Sequence, residues 1–142
     1  MSDSVKRVQR NLYSLDELSF FKSGMRREFS SMAEMITTRA EEIPDKIYVY
    51  YYDQEISYAR TNERSNRVAN YLKDMGVLKG DVVSVMVLNS PEIYYAMFGA
   101  QKLGAVAGAI NYMLKGREIA HLLEDSKPKV VFVGSDFMDD FA

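Results

Sequence analysis

Three short apolar runs constrain the fold of this chain most: VVSVMV at residues 82–87, AVAGAI at 105–110 and PKVVFVG at 128–134. Each is too short for a buried helix, and the first and third are rich in β-branched residues, so they predict buried strands. Segments with helical spacing precede and separate them, giving the order α-β-α-β-α-β from residue 57. Because parallel crossovers are right-handed, this order predicts an α/β fold with helices covering a parallel sheet.

The helix between the first two strands has clear start and end signals. Ser90 stands at the N-cap position, Pro91 fits the first turn without losing a needed hydrogen bond, and Glu92 complements the helix dipole. Gly99 interrupts the helix at a cost of about 1 kcal/mol against alanine, which predicts close approach of a neighbour. Gly104 is predicted to end the helix in the left-handed conformation.

The glycines near this helix do not predict a phosphate-binding loop. Such a loop follows a strand and precedes a helix, whereas Gly99 and Gly104 lie within and after a helix. Their spacing imitates the start of a P-loop, but Ala105 and Val106 stand where the lysine and the hydroxyl should be. Gly108 is interpreted as a small residue beneath a packed helix.

Upstream of the sheet, the pattern predicts a helix near residues 31–42 and then a short β-hairpin in KIYVYYYDQEISY with its turn at Asp53–Gln54. Five tyrosines within eleven residues could form a base-stacking platform, or could pair across the strands of a half-buried ribbon. The second interpretation is favoured because only Lys46 and Arg60 supply positive charge nearby.

A long helix is predicted after the hairpin. Ser57 is its predicted N-cap, Gly76 is its left-handed end, and its apolar face contains Val68, Leu72 and Met75. Further along the chain, the segment REIAHLLEDS predicts a short amphipathic helix. A last helix is predicted to begin with a serine cap at residue 135.

Residues 1–28 mix basic and acidic side chains without a sustained apolar face, and they are interpreted as an N-terminal extension. Their arginines are typical of a transit peptide, but their acidic residues argue against one. Residues 29–142 are interpreted as part of an α/β domain. We therefore expect one folded domain behind an extension.

Composition and charge exclude several classes of protein. The formal charge is -2, with 18 basic and 20 acidic side chains spread along the chain, so no basic stripe predicts nucleic-acid binding. The chain has no cysteine, which excludes disulfides, thiolate metal sites and a cysteine nucleophile. No apolar stretch approaches the roughly 20 residues of a membrane span. We expect a cytoplasmic protein.

Few side chains qualify as metal ligands or as an acid–base pair. His121 and Asp125 are four residues apart on one predicted helix face and could present two metal ligands, but no further ligand is evident. The adjacent pairs Glu41–Glu42 and Asp139–Asp140 diverge rather than share a proton, so we interpret them as solvated charges.

The serines also lack a catalytic context. Ser84, Ser90 and Ser135 have no matched base in any readable motif, and the last two already have predicted capping roles. We therefore assign no catalytic, cofactor-binding or metal-binding residue to this chain.

Residues 56–134 resemble the N-terminal region of AMP-forming acyl-CoA synthetases, within the adenylate-forming superfamily that also contains peptide-synthetase adenylation domains and luciferases. No single triplet is specific, but the order and spacing of the matching positions are. The matching residues are Ser57, Tyr58, Asn66, Val68, Ala69, Leu72, Gly76, Val77, Gly80, Asp81, Val82, Val83, Asn89, Pro91, Glu92, Gly99, Lys102, Leu103, Gly104, Ala105, Val106, Asn111, Glu118, Ile119 and His121.

The resemblance implies a two-step reaction. A carboxylate attacks ATP to give an acyl-adenylate and pyrophosphate, and the thiol of CoA then displaces AMP. In the family, Mg²⁺, a Ser/Thr/Gly-rich loop, a later Asp and Arg, and a lysine of a mobile C-terminal domain support this chemistry. None of these motifs occurs before Ala142, so we expect a domain truncated ahead of the ATP-binding motifs and inactive by itself.

Three interpretations stay open. The first is a fragment of a fatty-acid or related carboxylic-acid–CoA ligase, which self-associates through exposed sheet edges. The second is a stand-alone binding or regulatory module that kept the fold without the chemistry. The third, a flavodoxin-like nucleotide binder, is disfavoured because residues 89–91 offer no glycine after the first parallel strand.

Two stretches of the sequence bear on the subfamily. Family members often place prolines around Asn111, whereas Ala109 and Tyr112 stand there in this chain. The run LKGREIAHLL resembles the fatty-acid and carnitine-type CoA ligases.

Overall fold

The computed structural model describes residues 29–141, and the extension predicted at residues 1–28 lies outside that range. No helix in the range is long and apolar enough to cross a bilayer. The helices are α1 (Met32–Glu42), α2 (Tyr58–Asp74), α3 (Pro91–Lys102) and α4 (Arg117–Ser126). The strands are β1 (Ile47–Tyr51), β2 (Gln54–Ser57), β3 (Val82–Met86), β4 (Val106–Ala109) and β5 (Val130–Val133), and a 3₁₀ helix spans Ser135–Phe141.

The predicted parallel sheet is confirmed. Its strands have the order β4-β3-β5, and both pairings are parallel. In the central strand, Val83 pairs with Ala107 on one side and with Val130 on the other. Because the chain crosses back over β3 after β4, the carboxyl ends of β3 and β5 flank a topological switch point, where open α/β sheets form clefts.

Helices cover both faces of β3, as its sequence predicts. Val83 and Val85 are buried on one face, and Ser84 and Met86 are buried on the other. On the first face, α2 and α3 complete a core of Leu72, Val77, Val83, Ala100, Ala105 and Val130. On the second face, α4 and the 3₁₀ helix complete a core of Met86, Ile110, Ile119 and Phe137.

The last strand is less buried than predicted. Within β5 only Val130 is buried, while its other residues are partly buried. The prediction of another buried strand at residues 128–134 is confirmed only at Val130, because no strand among residues 29–141 lies beyond β5. Val106 of β4, the other edge strand, is 55% exposed. Both edges of the described sheet therefore keep unpaired backbone groups.

Both predicted left-handed helix ends are confirmed. Gly76 has φ +78°, its N–H donates to the carbonyl of Lys73 (2.9 Å), and the N–H of Val77 donates to that of Leu72 (3.0 Å). This pair of bonds is the Schellman arrangement, which satisfies carbonyls at the end of the helix. Gly104 ends α3 in the same way, with φ +73°.

The three predicted serine caps have different outcomes. Ser57 caps α2, since its Oγ accepts from the N–H of Arg60 at 3.3 Å. Ser90 occupies the N-cap position of α3, but its side chain makes no capping bond; instead its carbonyl accepts from Ile93 at 3.2 Å. Ser135 is the first residue of the 3₁₀ helix rather than the cap of a further α-helix.

Two glycines of the α3–β4 region differ from each other. A Cβ added at Gly99 would lie 2.7 Å from Cγ1 of Val68, so the predicted close approach of a neighbour is confirmed. A Cβ added at Gly108 would meet nothing within 4 Å. The interpretation of Gly108 as a small residue beneath a packed helix is therefore wrong.

The hairpin forms as predicted, with its turn one residue earlier. Tyr52, in the left-handed region at φ +51°, and Asp53 make the turn, while Gln54 already belongs to β2. The ring of Tyr48 lies 5.0 Å from that of Tyr58 and 5.6 Å from that of Tyr94. This tyrosine therefore attaches the ribbon to α2 and α3 instead of pairing across its strands.

The buried face of α2 begins with hydroxyl side chains. Thr61 and Ser65 are fully buried, and they donate to the carbonyls of Ser57 (2.9 Å) and Thr61 (2.7 Å). Because each hydroxyl finds a partner one turn back, it can be buried without an unsatisfied group. Met75, predicted on the apolar face, is 48% exposed because the helix ends at its position.

Candidate functional site

The carboxyl edge of the parallel sheet is the first place to look for a site, because open α/β folds bind ligands there. The polar side chains at this edge include Asn89, Ser90, Asn111 and Ser135. Asn111 fixes a local turn, since its Oδ1 accepts from the N–H of Met113 at 3.0 Å. Ser90 and Ser135 start helices. These groups shape the backbone at the edge and do not converge on one point.

The candidate metal ligands do not form a site. His121 and Asp125 both lie exposed on α4. Among residues 29–141, no three histidine, aspartate or glutamate side chains come close enough to hold a metal ion. Two exposed ligands are fewer than a bound metal requires.

The two acidic pairs diverge, as predicted. Glu41 is exposed, and Glu42 pairs with Arg39 one turn back at 2.8 Å. Asp139 is exposed, but the carboxylate of Asp140 accepts from Lys115 at 2.5 Å and is only 21% exposed. The interpretation of Asp140 as a solvated charge is therefore wrong, because Lys115 binds it.

The three serines are spread over the sheet. Ser84 is 2% exposed in the middle of β3, and Ser90 and Ser135 follow the ends of β3 and β5. Within the described part of the chain, none of these three hydroxyls is hydrogen-bonded to His121. Among residues 29–141, the structure therefore does not pair Ser84, Ser90 or Ser135 with the histidine as nucleophilic catalysis would need.

Asp81, directly before β3, accepts hydrogen bonds from two other segments of the chain. Its Oδ2 accepts from the N–H of Leu78 at 2.7 Å and from Nζ of Lys129 at 2.9 Å. The Leu78 hydrogen bond, followed by the Lys129 hydrogen bond, lowers the pKa of Asp81 below its usual value of 3.8. Lys129 also donates to the carbonyl of Gly76 at 2.5 Å. The side chains of Asp81 and Lys129 thus tie the end of α2 to the sheet, and we call this pair the clasp.

Lys102 occupies a polar junction of three helices. Its Nζ lies 2.7 Å from Oδ1 of Asn62 in α2 and 2.9 Å from Oγ1 of Thr37 in α1. Burial lowers the pKa of Lys102 below its ordinary value of 10.5. Both partners are neutral, so among residues 29–141 the ammonium joins α1, α2 and α3 through hydrogen bonds rather than through an ion pair.

A polar concavity lies beside the start of α3, and we call it the basic pocket. It has a volume of about 140 Å³, and its lining includes Arg60, Arg64, Tyr95 and Glu92. Arg60 and Arg64 are exposed and one turn apart on α2, and neither forms an ion pair with a carboxylate of residues 29–141. Two guanidinium groups thus face one carboxylate in this pocket.

The charges of the basic pocket act on the pKa of the Tyr95 phenol. Partial burial is the main cause that raises the pKa of Tyr95, followed by the carboxylate of Glu92, while Arg60 and Arg64 lower it. All three charged groups therefore act on the same hydroxyl. The pocket can offer two guanidinium forks and a phenol to an anion.

A second concavity, which we call the apolar cleft, borders the basic pocket. It has a volume of about 320 Å³, and Glu92 and Tyr95 line both cavities. The remaining lining is apolar apart from backbone and lies at the switch point of the sheet. Its residues are Val68, Val85, Val87, Ala96, Phe132, Val133 and Gly134.

Arg60 and Arg64 lie exposed on α2, and the sequence predicted no ligand-binding role for either of them. The sequence signal that could have found them is their spacing of four residues, Arg60, Arg64 and Val68, which places them on one face of α2. The two arginines line the basic pocket, and Val68 lines the apolar cleft. Tyr95 completes the site from α3. Nothing in the sequence alone indicates that these two helices come together at this point.

Comparison with known proteins agrees with the fold. A profile of the AMP-binding enzyme family matches residues 36–141. The medium/long-chain-fatty-acid–CoA ligase FadD6 of Mycobacterium tuberculosis is 35% identical over 113 residues, covering 80% of this chain and 19% of that ligase.

Two solved structures extend the comparison. The N-terminal domain of FACL13 from Mycobacterium tuberculosis superimposes with a TM-score of 0.73 at 35% identity, covering 80% of this chain and 29% of that chain. The anthranilate CoA ligase AuaEII, solved with anthranoyl-AMP, gives a TM-score of 0.72 at 30% identity, covering 75% of this chain and 21% of that chain.

An α/β sheet of this order, covered on both faces and matched by these proteins, defines the N-terminal region of an adenylate-forming enzyme. The chain belongs to the AMP-binding enzyme family. It spans about a fifth of the length of the curated ligase that it matches over 113 residues.

Proposed function

We propose that the chain is part of an ATP-dependent fatty-acid–CoA ligase and contributes scaffold rather than catalytic groups. The supporting observation is the 35% identity to a medium/long-chain-fatty-acid–CoA ligase over 80% of the chain, together with the shared parallel sheet. The reaction of such a ligase joins a fatty acid to AMP with loss of pyrophosphate, and CoA thiol then displaces AMP.

The magnesium ion that this reaction requires does not fit the described residues. Their carboxylates are scattered or already bound, as Asp81 is by Lys129 and Asp140 is by Lys115. No three acidic or histidine side chains converge within residues 29–141. We therefore route no step of the reaction through this part of the chain, and we assign ATP, Mg²⁺ and CoA to the complete ligase only.

We further propose that the 142-residue chain is inactive by itself. The support is that, in its described part, no three acidic or histidine side chains converge to hold the Mg²⁺ that the reaction requires. The experiment is a pyrophosphate-release assay with ATP, Mg²⁺, CoA and decanoate, run on the purified chain beside an active fatty-acid–CoA ligase. The expected rate equals that of buffer, and fatty-acid-dependent release by the chain would overturn the proposal.

The alternative is a stand-alone binding module. The observation that favours it is the pair of adjoining cavities, which need no catalytic group to bind a ligand. Saturable binding of a fatty acid or an acyl-CoA, together with cooperative unfolding of the isolated chain and no pyrophosphate release, would favour this module over a ligase fragment.

We also propose that the chain self-associates through its sheet edges. The support is the exposure of β4, where Val106 is 55% exposed, and the absence of a described strand beyond β5. Sedimentation velocity is expected to show dimers or larger species whose share grows with concentration. A monomer at all concentrations would contradict the proposal.

We expect the protein in the cytoplasm, where ATP and CoA for the proposed reaction are available, and we expect no nucleic-acid partner. The support for the second expectation is the balance of 18 basic and 20 acidic side chains. Cell fractionation tests the location, and a DNA or RNA retention assay tests the partner. Recovery in a membrane fraction, or retention that weakens with salt, would contradict the respective expectation.

A further inference from the structure

The basic pocket holds positive charge that the described part of the chain leaves unpaired. Arg60 and Arg64 line it from successive turns of α2. Among residues 29–141, neither of their guanidinium groups forms an ion pair or a hydrogen bond. Arg67 on the same helix differs, because it pairs with Glu63. Two guanidinium groups with open donors therefore share one concavity.

The other polar side chains of the pocket are mostly donors. Tyr95 and Gln54 belong to the lining, and their side chains carry a hydroxyl and an amide. The charges of Arg60 and Arg64 both lower the pKa of Tyr95, so its hydroxyl lies within the field of the two arginines. Glu92 supplies the one carboxylate of the lining. The pocket thus has a surplus of positive charge and of hydrogen-bond donors.

The start of α3 strengthens the positive field at the pocket. Pro91 and Glu92, the first two residues of this 12-residue helix, belong to the lining. The side chain of Ser90 makes no capping hydrogen bond, so the helix begins without a side-chain acceptor. The positive end of a helix dipole favours a nearby anion. Here it acts together with the two arginines, which supply the full charges.

The size of the pocket limits its occupant to a small ion. Its volume is about 140 Å³. Pockets that enclose a drug-sized ligand have volumes of roughly 300–1,000 Å³. The space is therefore too small to enclose a nucleotide or an acyl chain, but a tetrahedral oxyanion is smaller than either.

We propose that the basic pocket is a binding site for a phosphoryl dianion, held between Arg60 and Arg64 as free orthophosphate or as the phosphate group of a small monoester. Planar guanidinium groups match the oxygens of a phosphate through paired N–H donors. The proposal goes beyond the proposed ligase reaction and does not depend on it, because it concerns binding by this chain alone.

The test is a titration of the ¹⁵N-labelled intact chain, followed by its backbone and arginine side-chain NMR signals. Sodium phosphate replaces sodium chloride at constant ionic strength, at about pH 8 to keep the probe a dianion. We expect saturable shifts centred on Arg64, Glu92 and Tyr95. Acetate, with a single charge, is expected to bind more weakly. Equal binding of acetate, or no saturation by phosphate, would overturn the proposal.

Two further probes identify the source of the phosphoryl group. Tighter binding of glycerol 3-phosphate than of orthophosphate would support the proposal with a monoester as occupant, and the reverse order would support it with the free ion. ATP is the third arm. Shifts at the pocket with ATP but with neither of the smaller probes would overturn the proposal, because the site would then recognise a nucleotide.

Variants of the charged residues locate the anion. The double variant Arg60→Gln/Arg64→Gln is expected to weaken phosphate binding about three- to tenfold, as loss of two exposed charge contacts predicts. Glu92→Gln is expected to strengthen binding, because it removes the one negative charge from the lining. Arg67→Gln is the matched control on the same helix, since Arg67 pairs with Glu63 and does not belong to the lining.

The control variant separates a site from general attraction. Weakening by Arg67→Gln equal to that of the double variant would indicate attraction to the charge of the whole helix and would overturn the proposal. The dispersion of the NMR spectrum confirms that each variant is folded. Binding of phosphate is read without any ligase assay, so an inactive chain leaves the result unaffected.

Discussion

The backbone of Gly99 in α3 is in direct contact with Val68 in α2. A Cβ built on Gly99 would lie 2.7 Å from Cγ1 and 2.8 Å from Cβ of Val68, and 3.1 Å from the backbone nitrogen of Ala69. These distances are shorter than ordinary carbon contacts, so the two helices can approach this closely only with glycine at this position. The same helix pair lines the basic pocket.

We expect Gly99→Ala to destabilise the fold by about 1–3 kcal/mol, the usual cost of overpacking a core, despite the gain in helix propensity. The measurement is the midpoint of urea unfolding. Val68→Ala in the same chain should recover part of the loss, because it removes the clashing methyl groups. Gly108→Ala is the matched control and should change little, since its Cβ would meet nothing within 4 Å. Equal effects of both glycine substitutions would contradict this packing.

We expect Gly104→Ala to destabilise the fold by about 1–2 kcal/mol for a different reason. Its φ of +73° is unfavourable for any residue with a Cβ. Gly76 has a similar φ of +78°. Gly76→Ala and Gly104→Ala should therefore lower the free energy of unfolding in urea by similar amounts. A neutral effect of both would show that these helix ends do not need the left-handed conformation.

Asp81 gives the fold a pH dependence in acid. Its native pKa lies below 3.8, so the stabilisation from the clasp is complete above that value and is lost as the pH falls through the native pKa. We therefore expect Asp81→Asn to be less stable than the parent at pH 7 and to approach it as the pH falls below 3.8. A difference that is constant with pH in urea titrations would contradict the clasp, and Asp74→Asn, at an exposed position, serves as control.

Lys102 makes the stability of the fold depend on pH in the alkaline range. Burial lowers its native pKa below the unfolded value, so the unfolded chain binds more protons between the two values and stability rises with pH there. We expect the stability of the parent relative to Lys102→Met to increase as the pH is raised towards 10.5. The measurement is thermal unfolding across that range with Lys73→Met, at an exposed site, as control.

Much of this fold is predictable because its signals are local. The apolar run around Val83 predicts the central strand, and Gly76 and Gly104 predict helix ends because only a left-handed residue closes those turns. Ser90 shows where local signals stop. Its position as N-cap is predictable, but whether its side chain makes the capping bond depends on the backbone around Pro91.

The rest of the structure depends on partners far apart in the chain. Lys102 bonds to Asn62 and Thr37, which lie 40 and 65 residues away. Arg64 meets Tyr95 only after α2 and α3 have packed, and each looks like an ordinary surface residue in its own helix. A single sequence holds no signal for such pairs, because their spacing is set by the tertiary fold.

The most direct test of the central claim is a chimera. In this chimera, the matching segment of this chain replaces the 113-residue segment of the FadD6 ligase. The experiment tests whether this chain's segment can serve as the scaffold of an acid–CoA ligase. Acyl-CoA formation by the purified chimera is the measurement, with thermal unfolding to confirm that it is folded. Our account predicts an active chimera and an inactive isolated chain. A folded chimera without acyl-CoA formation, or an isolated chain that forms acyl-CoA, would contradict it.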